Sequence, residues 1–136
     1  MKFVTYLNFN GTCREAFEFY AKTLKGEIIA MHTHENLPAE QQISPEWKDK
    51  IMNAVLKVGD QELMGSDSPP QWFKGVEGFY VSIQIEDEKE GQRIFNALSD
   101  GGTVTLPFEP TFWAKRFAML RDRFGTPWMI NVPKAA

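Results

Sequence analysis

One hairpin is written twice in this chain, and the repetition leaves few folds open to it. From Trp113 to Asn131 the sequence WAKRFAMLRDRFGTPWMIN reads as strand, turn, strand. Large apolar residues run from Phe117 to Asp122, a Gly and a Pro punctuate Arg123 to Pro127, and the apolar run resumes from Trp128 to Val132. The same pattern stands earlier, from Asn53 to Ser66, where NAVLKV meets the Gly59-Asp60 turn and continues as QELMGS. A unit of this size cannot bury both faces of its sheet alone, whereas two copies can.

What precedes each hairpin repeats as well. Phe3 to Asn10 alternates, with Phe3, Thr5, Leu7 and Phe9 on one face and Val4, Tyr6, Asn8 and Asn10 on the other, the period of a strand. Thr12 stands three residues before Glu15, the spacing at which each side chain satisfies the other's backbone N–H, so a helix is predicted to start there. Its stripe is Cys13, Ala16, Phe17, Tyr20, Ala21 and Leu24, and Gly26 is predicted to end it. A strand from Glu27 to His34 and a long loop containing Pro38 and Pro45 lead to the first hairpin.

In the second half, Phe79 to Ile85 puts Phe79, Val81, Ile83 and Ile85 on one face and Tyr80, Ser82 and Gln84 on the other. Asp87 and Glu90 repeat the cap spacing, Ile94, Phe95 and Leu98 supply the stripe, and Gly101-Gly102 closes the helix. Val104 to Trp113 is a strand interrupted by Pro107 and Pro110, at an edge or with a bulge. Asp67 to Gly78, DSPPQWFKGVEG, reads as the linker. The expectation is an α+β chain of two βαβββ repeats, about 3–66 and 79–132, within one domain spanning 1–136.

Composition narrows the function classes. At 136 residues, 43% hydrophobic and 24% charged, one domain is expected, burying roughly two thirds of its unfolded surface. A net charge of -3 and a pI near 5.4 give no long-range attraction to nucleic acid or an anionic membrane. No stretch approaches the ~20 apolar residues of a membrane span. Met1-Lys2 leads straight into a strand pattern, so a cytoplasmic protein is expected. The single cysteine, Cys13, excludes an intramolecular disulfide and, lying on the apolar stripe, reads as a small core residue. There is no nucleophile elbow, phosphate-binding glycine loop or zinc-spaced cysteine pair. Lys115, Arg116, Arg121 and Arg123 concentrate positive charge around Asp122, which predicts surface ion pairs, the other reading being an anion-binding role. Trp128 is expected against a helix, while Trp47, Trp72 and Trp113 lie in or beside loops, where aromatics cover a ligand mouth or a partner chain.

The doubled unit, the opening FNGTCREAFEFYAKTLKG, the LMGSD segment and the closing DRFGTPWMIN together resemble the vicinal oxygen chelate superfamily. More narrowly they resemble its PhnB-like branch, related to glyoxalase and bleomycin-resistance proteins, over Tyr6 to Val132. The resemblance implies a cup: two four-stranded mixed sheets curl, helices cover the outer face, and the inner face holds a ligand or a metal. With the more apolar set of each strand turned to the helices, the lining candidates are Tyr6, Asn8, Met64 and Ser66 in the first repeat. Tyr80, Ser82, Met129 and Asn131 match them in the second, and Trp113 joins them as an aromatic wall. A slip of one residue would exchange the whole set.

Metal enzymes of the family place His or Glu on those four strands, where this chain has Asn, Ser, Met and Tyr, so no metal cofactor is expected. Glu62, in the last strand of the first hairpin, is read as facing away from the cup. His32, His34 and Glu35 form an H-x-H-E run, and period two would put both imidazoles on one face as a candidate pair for a divalent ion; the other reading is an exposed strand end. The functional expectation is a homodimeric, PhnB-like protein binding a small organic ligand, with no reaction assigned. Its alternatives are a metal-dependent lyase or isomerase of glyoxalase type and a non-catalytic, drug-sequestering protein of bleomycin-resistance type.

Overall fold

Strand, helix and three strands follow one another twice in the computed structural model, which describes residues 1–38 and 44–135. Residues 39–43, in the loop between Pro38 and Pro45, lie outside the described residues. The first compact unit, Met1–Gly75, contains β1 (Thr5–Phe9), α1 (Cys13–Leu24), β2 (Glu27–Thr33), β3 (Ile51–Val58) and β4 (Gln61–Asp67). The second, Val76–Ala136, contains β5 (Val81–Gln84), α2 (Glu88–Ser99), β6 (Thr103–Glu109), β7 (Ala114–Arg121) and β8 (Pro127–Pro133). Each unit has its own mixed sheet, ordered β1-β4-β3-β2 and β5-β8-β7-β6. In both, the first strand runs parallel to the last and the remaining pairs are antiparallel.

The apolar alternation of the strands decides which face each helix covers. In the first unit Leu7, Phe9, Ala54 and Leu56 are buried with Cys13, Ala16, Phe17 and Tyr20 of α1. The rings of Phe9 and Phe17 meet edge to face, with centroids 6.1 Å apart. Each such ring, fully buried, stabilises the unit by about 1.5–3 kcal/mol. A Cβ on Gly65 would stand 2.9 Å from the Phe17 ring, so a glycine is what lets β4 approach α1. In the second unit the buried set is Ala118, Leu120, Trp128, Ile130 and Val132 with Ile94 and Leu98 of α2. Arg116, the register partner of Val132, reaches Glu88 at the start of α2 at 3.1 Å, which fixes that face toward the helix.

Several local expectations need correction. Thr12 makes no side-chain cap; the first N–H of α1, on Cys13, donates instead to Asp67 Oδ1 at 2.9 Å. Asp67 is therefore not linker but the buried last residue of β4. In α2 the Asp87 carboxylate does accept from the N–H groups of Lys89 and Glu90, while the Glu90 side chain turns to Arg93. At the end of α1 the left-handed residue is Lys25 (φ 57°), not Gly26. Gly26 serves close approach, since a Cβ there would stand 2.7 Å from the Lys57 carbonyl oxygen. β2 stops at Thr33, and β6 stops at Glu109, short of Trp113. β6 is both an edge strand and irregular, with register shifts on either side of Leu106.

The closing turn is organised by Asp122, which is buried and not on the surface. Its Oδ1 accepts from Phe124 N and Thr126 N at 2.9 and 3.0 Å, and its Oδ2 from Trp128 Nε1 at 2.9 Å. A buried carboxylate needs such donors to offset its lost hydration. Of the surrounding cations, Lys115 and Arg116 meet Glu88, Arg121 donates to the carbonyls of Val76 and Gly125, and Arg123 lies over the Phe124 ring.

Candidate functional site

On each sheet the strand residues turned away from the helix form an open face, and the candidate residues are best described unit by unit. In the first, Gly65 meets Phe17 of α1, so its neighbours Met64 and Ser66 point the other way. The parallel register sets Tyr6 beside Met64 and Asn8 beside Ser66, which brings those four residues onto one face. Tyr6 Oη donates to Asn53 Oδ1 over a long 3.4 Å, and Ser68 Oγ donates to Asn8 Oδ1 at 3.3 Å. Glu62 has the same parity as Met64 and Ser66 and lies on this face, not away from it. Its carboxylate meets the Lys2 ammonium at 3.1 Å.

In the second unit Ser82 pairs with Met129 and Gln84 with Asn131, all on the face opposite Val132. Asn131 Nδ2 donates to Gln84 Oε1 at 2.8 Å, and Gln84 Nε2 donates to Ser82 Oγ at 2.7 Å. These three side chains form a relay across β5 and β8. Asn131 Oδ1 is buried and has no hydrogen-bond partner among the described residues. Across β7 the register partners are Phe117 for Asn131 and Met119 for Met129. Trp113, just before β7, is 49% exposed, and its ring centroid lies 5.3 Å from that of Phe117. Tyr80 is exposed and precedes β5, outside the paired register.

Gln84, Phe117 and Glu62 were not among the sequence candidates. Gln84 stands two residues after Ser82, so strand parity alone would have found it. Phe117 needed the cross-strand register, because the bulge between Ala114 and Arg116 breaks the count from Trp113.

The two histidines do not form a pair. A register shift between His32 and Thr33 ends the alternation, leaving His32 exposed on β2, while His34 opens a 3-10 turn, His34–Asn36. His34 is 7% exposed, meets the Trp47 ring edge-on at 6.0 Å, and neither ring nitrogen has a hydrogen-bond partner among the described residues. Among the described residues no group of three or more His, Cys, Asp or Glu is arranged to hold a metal ion. The four strands a family metal would use carry Tyr, Asn, Met, Ser and Gln on their open faces, with Glu62 engaged by Lys2. This donor set does not fit a divalent ion, which takes imidazole and carboxylate ligands. Cys13 is fully buried; burial first, then the nearby Asp67 carboxylate, pushes its thiol well above the ordinary range. Such a thiol is no nucleophile.

The family described as 3-demethylubiquinone-9 3-methyltransferase matches residues 1–131. The crystal structure of protein PA1353 from Pseudomonas aeruginosa is 43% identical, with 99% of each chain covered and a TM-score of 0.90. The PhnB protein from Bacillus cereus is 25% identical over 97% of this chain and 99% of that one, with a TM-score of 0.81. The fosfomycin resistance protein FosX from Listeria monocytogenes, at 9% identity, 98% and 94% coverage and a TM-score of 0.67, shares the fold. Among the described residues no helix is long and apolar enough to cross a membrane.

Proposed function

The chain belongs to the PhnB-like family described as 3-demethylubiquinone-9 3-methyltransferase, within the vicinal oxygen chelate superfamily, and on that footing we propose that it binds a small organic molecule on the open sheet face of its second unit. The observation that carries this reading is the Asn131–Gln84–Ser82 relay lying beside the Trp113 and Phe117 rings. Aromatic surface with a few placed neutral polar groups is the make-up of a small-molecule site. Tyr6, Asn8, Met64 and Ser66 give the first unit a similar face.

Binding, and not the methyl transfer of the family's description, is the activity proposed. Amides, a hydroxyl, thioethers and aromatic rings orient a ligand but neither take nor give a proton near neutral pH, and the Glu109 carboxylate on this face lies two strands from Asn131. The protein is proposed to work without a resident metal, supported by the donor set of the four strands. It is further proposed to act as a homodimer in the cytoplasm, the latter supported by a lone, buried thiol.

A small-molecule screen followed by titration of Trp113→Ala, Asn131→Ala and Asn8→Ala tests the site. Loss of Trp113 is expected to weaken a ligand most, and loss of Asn131 by roughly tenfold, the worth of about one neutral hydrogen bond. Ligands indifferent to all three variants would refute the assignment. One zinc, iron or nickel per chain after dialysis without chelator would refute the metal-free reading.

A further inference from the structure

The polarity of the relay goes further than the presence of a binding face. Each amide spends an N–H on its neighbour, Asn131 on Gln84 and Gln84 on Ser82, so direction is passed along the chain of bonds. What remains at its Asn131 end is an acceptor, Oδ1, buried and without a partner among the described residues. A buried carbonyl oxygen left in that state is costly, and native structures rarely leave one without a role. The aromatic surface of Phe117 is its neighbour across β7 and β8.

Charge on the same face restricts the ligand further. Glu109 pairs with Phe117 in register and therefore shares the face of Asn131. The cations of the closing hairpin are engaged elsewhere, Lys115 and Arg116 on the helix side by Glu88 and Arg121 by backbone carbonyls. An anionic group without a proton to give, brought to Asn131, would set its charge against a carbonyl oxygen, with Glu109 two strands away on the same face and Lys115 and Arg116 held by Glu88.

Resting on the binding reading above, the geometry points to a neutral ligand with a flat apolar body that donates one N–H or O–H hydrogen bond to Asn131 Oδ1. A carboxylate has no proton to donate to this oxygen and is disfavoured at that position. Specificity of this kind is sharp because a ligand lacking the donor leaves the buried acceptor unpaired.

Three probes of similar shape test it: indole, benzofuran, which replaces the N–H by oxygen, and indole-3-carboxylate. Affinities are read by titration in nitrogen–proton correlation NMR on the intact chain. Indole is expected to shift the Asn131 and Gln84 side-chain amides and to bind roughly tenfold more tightly than benzofuran, the equivalent of about 1.4 kcal/mol. Indole-3-carboxylate is expected to bind more weakly than indole. Asn131→Ala is expected to remove the preference, so that indole and benzofuran bind alike, and an otherwise unchanged nitrogen–proton correlation spectrum shows that the variant stays folded. Indole and benzofuran binding alike in the wild type would overturn the hydrogen-bond assignment and leave the binding face standing. Tighter binding of the carboxylate would overturn the preference against anions. Absence of any shift at Ser82, Gln84, Phe117 and Asn131 with all three probes at millimolar concentration would overturn both readings.

Discussion

Asp67 closes the helix that Cys13 begins. One carboxylate at the end of β4 accepts the Cys13 N–H through Oδ1 and the Ile51 N–H through Oδ2, each at 2.9 Å. It thereby joins the N-terminus of α1 to the first residue of β3, a bond across 54 positions of sequence. A negative charge here also meets the positive end of the helix dipole. Asp67→Ala leaves two buried donors open and is expected to cost about 3 kcal/mol, read as a urea midpoint lowered by about 1–2 M. A midpoint within error of wild type would show that water replaces the carboxylate and that the clip is not structural.

Lys25 and Gly26 make a paired prediction, because the two residues have opposite requirements. Lys25 is exposed and sits at φ 57°, a conformation that costs an L residue free energy, whereas Gly26 sits against β3. Lys25→Gly is expected to raise stability by about 0.5–1 kcal/mol. Gly26→Ala drives a methyl group against the Lys57 carbonyl and the Val58 side chain, both 2.7 Å from the added carbon, and is expected to lower stability by about 1–3 kcal/mol. Thermal denaturation of the two variants decides; equal effects of the same sign would refute the division of roles.

How much of this was legible in the sequence follows from the range of the interactions. Strand parity and helix period are local, so the repeat, the α+β class and the common face of Tyr6, Asn8, Met64 and Ser66 could be read directly. The cap of α1 could not, because its acceptor lies in β4 and a Thr–Glu spacing looked sufficient nearby. Gly26 was read as the residue that ends α1, since a sequence does not distinguish a glycine needed for φ from one needed for space. The alternation at the histidines is broken for a third reason: a register shift after His32 and a 3-10 turn at His34 end the period of two on which a shared face depended. Asp122 looked like a surface residue among arginines, and only the fold puts the Trp128 indole beside it.

The proposed homodimer is expected to involve Trp72. A turn in which Trp72 N and Phe73 N both donate to the Pro69 carbonyl, each at 2.9 Å, holds that segment in place with Trp72 62% exposed. An indole fixed in water is apolar area available to a second copy of the chain. Sedimentation equilibrium at micromolar concentration should return twice the chain mass, and Trp72→Glu should return the monomer mass. A wild-type monomer would remove the proposal.

Glu88 supplies the pH dependence. Its carboxylate meets Lys115 Nζ and Arg116 Nε, each at 3.1 Å, tying the start of α2 to β7. These hydrogen bonds, that of Lys115 first, hold its pKa below the ordinary carboxylate value. A folded-state pKa below the unfolded one means stability that is present above the unfolded value of about 4.3 and lost as pH falls through the folded one. Glu88→Gln should therefore melt below wild type at neutral pH, by a small margin because the pair is solvent-accessible, and the two curves should converge in acid. Half-molar salt should narrow the gap at neutral pH as well, by screening. A gap that persists unchanged at pH values well below the carboxylate range would show that Glu88 contributes through packing at the first turn of α2 and not through its charge.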